Sequence, residues 1–190
     1  MSKVLQSAIS QMINASQHEA SQFLERCYHR SFKKKELLHD KEELVHEVFF
    51  IEKGLVRVKI TDIDGREHTT HFAIENQFIA DYTAFLQEEK SSYQLEALEA
   101  TDTIVLTRDS IDWGYANMKE GEKLGRIIAE SYFVYMDTRI QRMYTLSPFE
   151  RYELMNSIFP AIHNRVPQHM IASYLGITPI HLSRIKRKAL

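Results

Sequence analysis

The chain has 190 residues, which allows one large domain or two small ones, and a net charge of −2. Its content of 44% hydrophobic and 26% charged residues is typical of a globular protein in water, and neither a signal peptide nor a membrane span is evident. The single cysteine, Cys27, excludes an internal disulfide and a cysteine-ligated iron–sulfur cluster. These features predict a cytoplasmic protein.

The first part of the chain predicts two helices followed by many short strands. One helix is expected over residues 3–14, and a second one from Ser16, which forms a capping-box pattern with Glu19, to about Tyr28. Strands are predicted at residues 48–51, 55–61, 66–74, 77–79, 93–98 and 103–107. Short strands separated by turn signals are typical of a small barrel or jelly roll.

The strand over 55–61 alternates between apolar and basic residues. Val56, Val58 and Ile60 share one face, and Arg57 and Lys59 share the other. A tight hairpin at residues 62–65 leads into the next strand. In that strand Phe72 and Ile74 are predicted to point into the barrel.

A long helix is predicted over residues 120–146, with two apolar stripes. The first has coiled-coil spacing and consists of Ala129, Phe133, Met136, Ile140 and Met143. The second consists of Ile128, Tyr132 and Tyr135. One stripe can pack on the barrel while the first forms a dimer seam; the alternative is a helix buried on two sides of a monomer.

The long helix ends at Ser147, and a capping-box pattern with Glu150 starts another helix there. Pro160 and Pro167 bracket a short link to the C-terminal segment. We therefore predict three parts, over residues 1–118, 119–146 and 147–190.

The spacing of residues 168–188 predicts a helix-turn-helix. Ala172 provides the small residue that two closely crossing helices need, and Gly176 suits a turn with left-handed backbone. Thr178 can cap the second helix, and Pro179 fits its first turn. The predicted framework residues are Ile171, Ala172, Leu175, Gly176, Ile177, Leu182 and Ile185.

The second helix carries basic residues on its predicted outer face. Residues 161–190 contain five Lys or Arg and no Asp or Glu, which gives them a charge of +5. Because the net charge of the whole chain is −2, residues 1–160 carry a net charge of −7. Such a distribution concentrates phosphate attraction in one place. The predicted DNA-binding residues are Thr178, Ile180, His181, Ser183, Arg184, Lys186, Arg187 and Lys188. The alternatives are a helical hairpin with a solvated basic tail and an interaction module for an acidic protein.

This order of parts resembles the Crp/Fnr family of bacterial transcription regulators. The motifs that carry the resemblance are Phe50-Ile51-Glu52-Lys53-Gly54-Leu55-Val56-Arg57 and Ile171-Ala172-Ser173-Tyr174-Leu175-Gly176-Ile177-Thr178-Pro179 with Leu182-Ser183-Arg184. The resemblance implies an α+β fold, with a cyclic-nucleotide-binding-like β jelly roll, a long dimerisation helix and a C-terminal helix-turn-helix, here without an evident wing hairpin. It implies a homodimer that binds palindromic double-stranded DNA, with RNA polymerase and a small-molecule effector as candidate partners.

Two departures from the family pattern concern specificity. Nucleotide-binding members carry a Gly-Glu pair and, about ten residues on, an Arg before Ser or Thr. The candidate effector loop here consists of Ala80, Asp81, Tyr82, Lys90, Ser91 and Ser92. Because the Gly and the phosphate-binding Arg are missing, we expect no cofactor and no cyclic nucleotide, with a nucleotide-responsive regulator as the alternative. Ile180 also stands where an acidic residue is common in the recognition helix.

No residue pattern predicts catalysis or a metal site. His68 and His71 lie three apart in a strand, so they should point to opposite faces. A metal-binding cupin is the enzyme alternative, but its clustered inward His and Glu are not found. The prediction is a DNA-binding regulator without enzyme activity, whose effector, target genes and sign of regulation the sequence leaves open.

Overall fold

A computed structural model describes residues 2–189, with side chains described up to Arg187. The strands in this range are Tyr28–Phe32 (β1), Leu37–His39 (β2), Glu47–Lys53 (β3), Val56–Thr61 (β4), Glu67–Ala73 (β5), Phe78–Ile79 (β6), Gln94–Ala97 (β7) and Thr101–Thr107 (β8). The helices in the same range are Lys3–Met12 (α1), Gln17–Leu24 (α2), Tyr82–Gln87 (α3), Arg108–Asn117 (α4), Gly121–Thr145 (α5), Pro148–Ile158 (α6), Ile162–Arg165 (α7), Gln168–Tyr174 (α8) and Pro179–Ala189 (α9).

The strands form two antiparallel four-stranded sheets, ordered β1-β8-β3-β6 and β2-β7-β4-β5. Alternating residues of both sheets meet in an apolar interior that includes Phe49, Ile51, Val56, Leu95 and Val105. Hydrophobic burial between two sheets is the main stabilising term of such a roll. The predicted jelly roll is confirmed.

Several elements were not predicted from the sequence. The strand β1 begins at Tyr28, where the second helix was expected to end, and its first four residues are exposed. An exposed edge strand has no buried face to impose an alternating apolar pattern. The strand β2 and the helices α3, α4 and α7 were missed as well, each being ten residues or shorter.

The prediction that Phe72 points into the barrel is wrong. In the β4–β5 pair Phe72 is directly opposite Arg57, so both side chains lie on the outer face of the sheet. Phe72 is nevertheless fully buried, because its ring packs against Phe159 and Tyr174 of the C-terminal helices. Ile74, also predicted inward, joins the same cluster. The outer face of β5 is therefore an internal surface.

The helix α5 over Gly121–Thr145 matches the predicted long helix within one residue at each end. Residues 148–189 form four helices joined by short turns, with no strand in this range. An apolar cluster joins Leu55, Phe72 and Leu98 of the jelly roll to the C-terminal helices. The predicted boundaries 1–118, 119–146 and 147–190 stay a prediction. Within the described residues, the helices are too short or too polar to cross a membrane.

The start of α6 provides a test of local stability. Ser147 accepts a hydrogen bond from the Glu150 N–H, and the Glu150 carboxylate accepts one from the Ser147 N–H. Ser147→Ala should lower the free energy of unfolding by about 0.5–2 kcal/mol, because a helix N-terminal donor loses its partner. Urea denaturation measures the change. Ser131→Ala, at an exposed position inside α5, is the control and should be neutral or slightly stabilising; equal effects of the two changes would contradict the role of the cap.

Candidate nucleic-acid interface

The turn between α8 and α9 is closed by a Schellman motif. Gly176 has a φ of 66°, in the left-handed region, and its N–H donates to the Ser173 carbonyl. The N–H of Ile177 donates to the Ala172 carbonyl. These two bonds satisfy carbonyls at the end of α8 and turn the chain toward α9.

The helix α9 begins with a side-chain cap. The Thr178 hydroxyl accepts a hydrogen bond from the His181 N–H at 3.2 Å, and Pro179 occupies the first helical position. This is the arrangement that the sequence predicts for a helix start.

The predicted framework residues lie where the two helices meet their domain. Ile171, Ala172 and Leu182 are fully buried, and Leu175 and Ile185 are nearly so. Ile177 packs at the edge of the same cluster, and Gly176 is exposed at the turn. A rigid pair of helices follows, because every described apolar side chain of the framework packs into one core.

The opposite face of α9 is open to solvent. Its exposed residues include one large apolar side chain, Ile180, which is 68% exposed. The other exposed residues of this face are Thr178, His181, Ser183, Arg184 and Arg187. This is the face that enters the major groove in helix-turn-helix proteins.

One predicted DNA-binding residue is placed differently, and another cannot be compared. Lys186 is half-buried and lies close enough to His163 that its charge, after burial, lowers the pKa of that imidazole. It therefore faces α7 rather than the open side of α9. The side chain of Lys188 lies outside the described residues.

The helix-turn-helix is docked on the jelly roll, which the sequence did not reveal. The Ser173 hydroxyl in α8 accepts a hydrogen bond from the Thr69 N–H in β5 at 2.8 Å. Arg165 binds two carboxylates of the roll at once, Glu75 through both oxygens and Glu99 at 2.6 Å. Burial would raise the pKa of Glu75, but hydrogen bonds from Arg165 and the Gly54 N–H outweigh it, so this pKa lies below its usual value.

The helix α5 is tied to the same unit by two arginines. Arg139 donates to the Tyr174 carbonyl at 2.7 Å and lies over the Tyr174 ring. Arg151 donates to the carbonyls of Leu175, Met143 and Leu146. These bonds fix the end of α5 and the turn of the helix-turn-helix relative to each other, since Arg guanidinium groups satisfy several acceptors with one rigid fork.

The residues of the predicted dimer seam differ in exposure. Phe133 and Ile140 are 69% and 54% exposed, Met136 is half-buried, and Ala129 is half-buried beside α4. Met143 is turned toward the helix-turn-helix, where its terminal methyl lies next to Gly176. Instead, Val134 and Tyr144, 60% and 88% exposed, extend the apolar surface. We define the exposed stripe of α5 as Phe133, Val134, Ile140 and Tyr144.

The second predicted stripe of α5 packs on the roll. Tyr132 stacks on Tyr82 with ring centroids 5.1 Å apart. The Tyr135 hydroxyl shares hydrogen bonds with His71 Nδ1 and the Tyr174 hydroxyl, at 2.7 and 3.2 Å. Burial, with the nearby charge of Arg139, lowers the pKa of His71 to about 3, so this imidazole is neutral at neutral pH.

The candidate effector loop is closed on itself. The buried Asp81 carboxylate accepts hydrogen bonds from the Ala84 N–H and from the Ser91 hydroxyl at 2.8 Å. Ser91 is buried as well, and Ala80 belongs to the apolar core. Lys90 and Ser92 are exposed. The structure thus brings Asp81 and Ser91 together, but their side chains are hydrogen-bonded to each other.

Among the described residues, no group of three or more His, Cys, Asp or Glu could hold a metal ion. His68 binds Asp62 at the hairpin, while His71 is committed to Tyr135.

Comparison with known proteins agrees with this geometry. Residues 29–117 match the cyclic nucleotide-binding domain family. FixK2 from Bradyrhizobium japonicum superposes with a TM-score of 0.74, at 16% identity over 85% of this chain and 83% of that one. The c-di-GMP responsive global regulator CLP of Xanthomonas campestris gives 0.69, at 14% identity over 92% and 91%. The catabolite activator protein of Thermus thermophilus gives 0.57, at 17% identity over 91% and 83%. The comparison with curated protein sequences finds no significant match.

The chain contains a domain of the cyclic nucleotide-binding family and has the fold of the Crp/Fnr transcriptional regulators. The resemblance seen in the sequence is confirmed for the fold.

The turn glycine provides a test of the docked geometry. Gly176→Ala should destabilise the protein by about 1–2 kcal/mol through left-handed strain alone, and by more because a Cβ at 176 would lie 2.5 Å from the Met143 methyl. Gly65→Ala is the matched control, since its φ is also positive, 77°, but open space surrounds it. Thermal unfolding should show a larger loss at 176, and Met143→Ala should reduce the difference. Equal losses at 65 and 176 would show that Met143 does not constrain the turn.

Proposed function

We propose that this protein is a sequence-specific DNA-binding transcription regulator that acts as a homodimer. The observation that carries the proposal is the exposed face of α9, which presents Arg184 and Arg187 on a helix whose other side is fully packed. Arg can donate two hydrogen bonds to O6 and N7 of guanine, and basic side chains near the groove edge bind phosphates.

A homodimer is supported by the exposed stripe of α5. Its four large apolar side chains are each more than half exposed, and an apolar patch of this kind marks an interaction surface. A second copy of α5 packed along this stripe would bury them in pairs. Two recognition helices related by a twofold axis would then face successive turns of the major groove, about 34–36 Å apart.

Regulation by a cyclic nucleotide is the alternative, and the effector loop argues against it. The cyclic phosphate carries a full charge that needs a cation and backbone donors when buried. Here Asp81 and Ser91 bind each other, Lys90 is exposed, and the Tyr82–Tyr132 stack closes the space between loop and α5. We propose that another molecule regulates the protein.

Selection of bound sites from a random DNA pool tests the function directly. The proposal requires enrichment of a palindromic sequence and binding that weakens steeply with salt. A pool that shows no enrichment, with binding equal for all sequences, would overturn the proposal. Binding of an acidic protein instead of DNA would favour the interaction-module alternative.

Arg184→Ala should weaken binding to the selected site by about 1–3 kcal/mol and relax one base position, because a bidentate contact to guanine is lost. Arg66→Ala, at the exposed tip of the β4–β5 hairpin, is the control for loss of a positive charge and should have no effect. Titrations on the selected site and on random DNA separate the two roles. Equal losses on both DNAs would mean that Arg184 contacts phosphate only.

Ile140→Lys should convert the dimer into monomers, since it places a charge in an apolar interface. Light scattering measures the mass, and circular dichroism verifies that the variant is folded. Ile63→Lys is the control, because Ile63 is fully exposed at the hairpin tip and lies far from α5 in sequence. A folded dimer of the Ile140 variant would show that the stripe is not the interface.

Cyclic AMP and cyclic GMP should bind more weakly than about 1 mM, a range in which less than ~4 kcal/mol of binding free energy is gained. Calorimetry with both nucleotides measures this. Micromolar binding would mean that the Asp81–Ser91 pair opens to admit a ligand, and the nucleotide-responsive alternative would then replace our proposal.

A further inference from the structure

An apolar cleft lies outside the jelly-roll interior. It has a volume of about 260 Å³ and lies between α3, α4 and the first turns of α5. Its floor is buried and apolar, with Phe23, Val48, Phe85, Leu106 and Leu124. No described residue of the floor carries a charge, so the cleft suits an apolar body.

Three glycines allow α4 and α5 to pack closely at the wall of the cleft. Gly114 of α4 and Gly121 and Gly125 of α5 all line it. A side chain at Gly121 would overlap the backbone of Gly114, so α4 and α5 touch there main chain to main chain. A side chain at Gly125 would overlap the Tyr115 ring, whose hydroxyl reaches this wall. Larger residues at these positions would shift α4 away from α5.

The mouth of the cleft combines apolar surface with a cation. Leu86 and Tyr115 at the mouth are 62% and 41% exposed. Arg126 of α5 also lines the cleft. Among the described residues its guanidinium is paired with Glu130, at 2.8 Å, and both side chains of the pair are more than half exposed. Such an exposed pair is weak and can exchange one carboxylate for another at little cost.

We propose that this cleft binds a small amphipathic carboxylic acid, with its apolar body on the floor and its carboxylate on Arg126. An apolar cavity of about 150 Å³ accommodates benzene, so a cleft of this size suits a body of roughly eight to ten carbon atoms. The ligand carboxylate replaces Glu130 at the guanidinium, and the released Glu130 carboxylate, which is more than half exposed, is solvated by water.

The position of the cleft connects such a ligand to the DNA-binding unit. Tyr82 lines the cleft and stacks on Tyr132 of α5. One turn further along α5, the Tyr135 hydroxyl reaches the Tyr174 hydroxyl of α8, and Arg139 binds the Tyr174 carbonyl. A ligand that alters the spacing of α4 and α5 thus bears on the orientation of the helix-turn-helix. This regulatory role rests on the proposed function, whereas the binding site does not.

Calorimetry of the full chain with octanoate and with 1-octanol tests the site. We expect saturable binding of octanoate below about 1 mM. Arg126→Ala should weaken octanoate about fivefold, the effect of one exposed charge pair, and leave octanol unchanged. Glu130→Gln is the matched control, because it breaks the same ion pair but keeps the cation; it should leave octanoate binding equal or tighter. No saturable binding, or equal losses in both variants, would overturn the carboxylate site.

Filling the cleft tests its location. Ala129→Phe places a ring in the cleft and should abolish binding of both probes. Leu86→Trp, at the exposed mouth, should block entry to the cleft without changing the core. It replaces Ala129→Phe in the test if that variant does not fold. Full-strength octanoate binding in a folded filled variant would place the ligand elsewhere and overturn the proposal.

DNA titrations with and without saturating octanoate test the regulatory role. A change in affinity of about fivefold or more is the usual size of coupling between two sites, and it should disappear in the filled variant that no longer binds octanoate. Octanoate that binds without changing DNA affinity would overturn the role as effector site. A folded chain that binds no DNA either with or without octanoate would refute the proposed function instead, while the calorimetry would still decide whether the site exists.

Discussion

The contact between β5 and α8 is the constraint on which the rest of the structure depends. Phe72 occupies the outer face of the jelly roll, and its burial requires the rings of Phe159 and Tyr174. Arg57 shares that face and is 2% exposed, with its charge balanced by Glu67 and Glu96. Removing the C-terminal helices would expose an aromatic core and a buried ionic cluster, at a large cost in hydrophobic and electrostatic free energy.

The polar contacts around this core give the docking its direction. The bond from the Thr69 N–H to Ser173 sets the register of α8 on β5, and the double pairing of Arg165 with Glu75 and Glu99 sets its angle. Paired, half-buried charges are costly to separate, because each would be left desolvated without a partner. The basic face of α9 is thereby held outward as part of a rigid unit.

The helix α5 has three distinct faces, of which two contact other parts of the chain and one is exposed. Tyr132 and Tyr135 pack on the roll, Met143 and Arg139 contact the helix-turn-helix, and the exposed stripe faces solvent. A helix in this position transmits small displacements, since packed interfaces have discrete arrangements and do not deform smoothly. The same helix forms one wall of the apolar cleft. A ligand in that cleft would therefore contact the helix that also contacts the helix-turn-helix.

The sequence by itself determined the local features: the caps at Ser16, Ser147 and Thr178, the left-handed turn at Gly176, the alternating strands and the length of α5. These depend on residues within a few positions of each other, so local patterns are sufficient to predict them. Only the tertiary structure decided that Phe72 faces outward, that Met143 and Lys186 turn inward, and that Asp81 is bound by Ser91. A hydrophobic pattern that repeats every two residues in a strand, or every 3.6 residues in a helix, shows that one face is more apolar than the other. Which part of the protein covers each face depends on segments far apart in the chain.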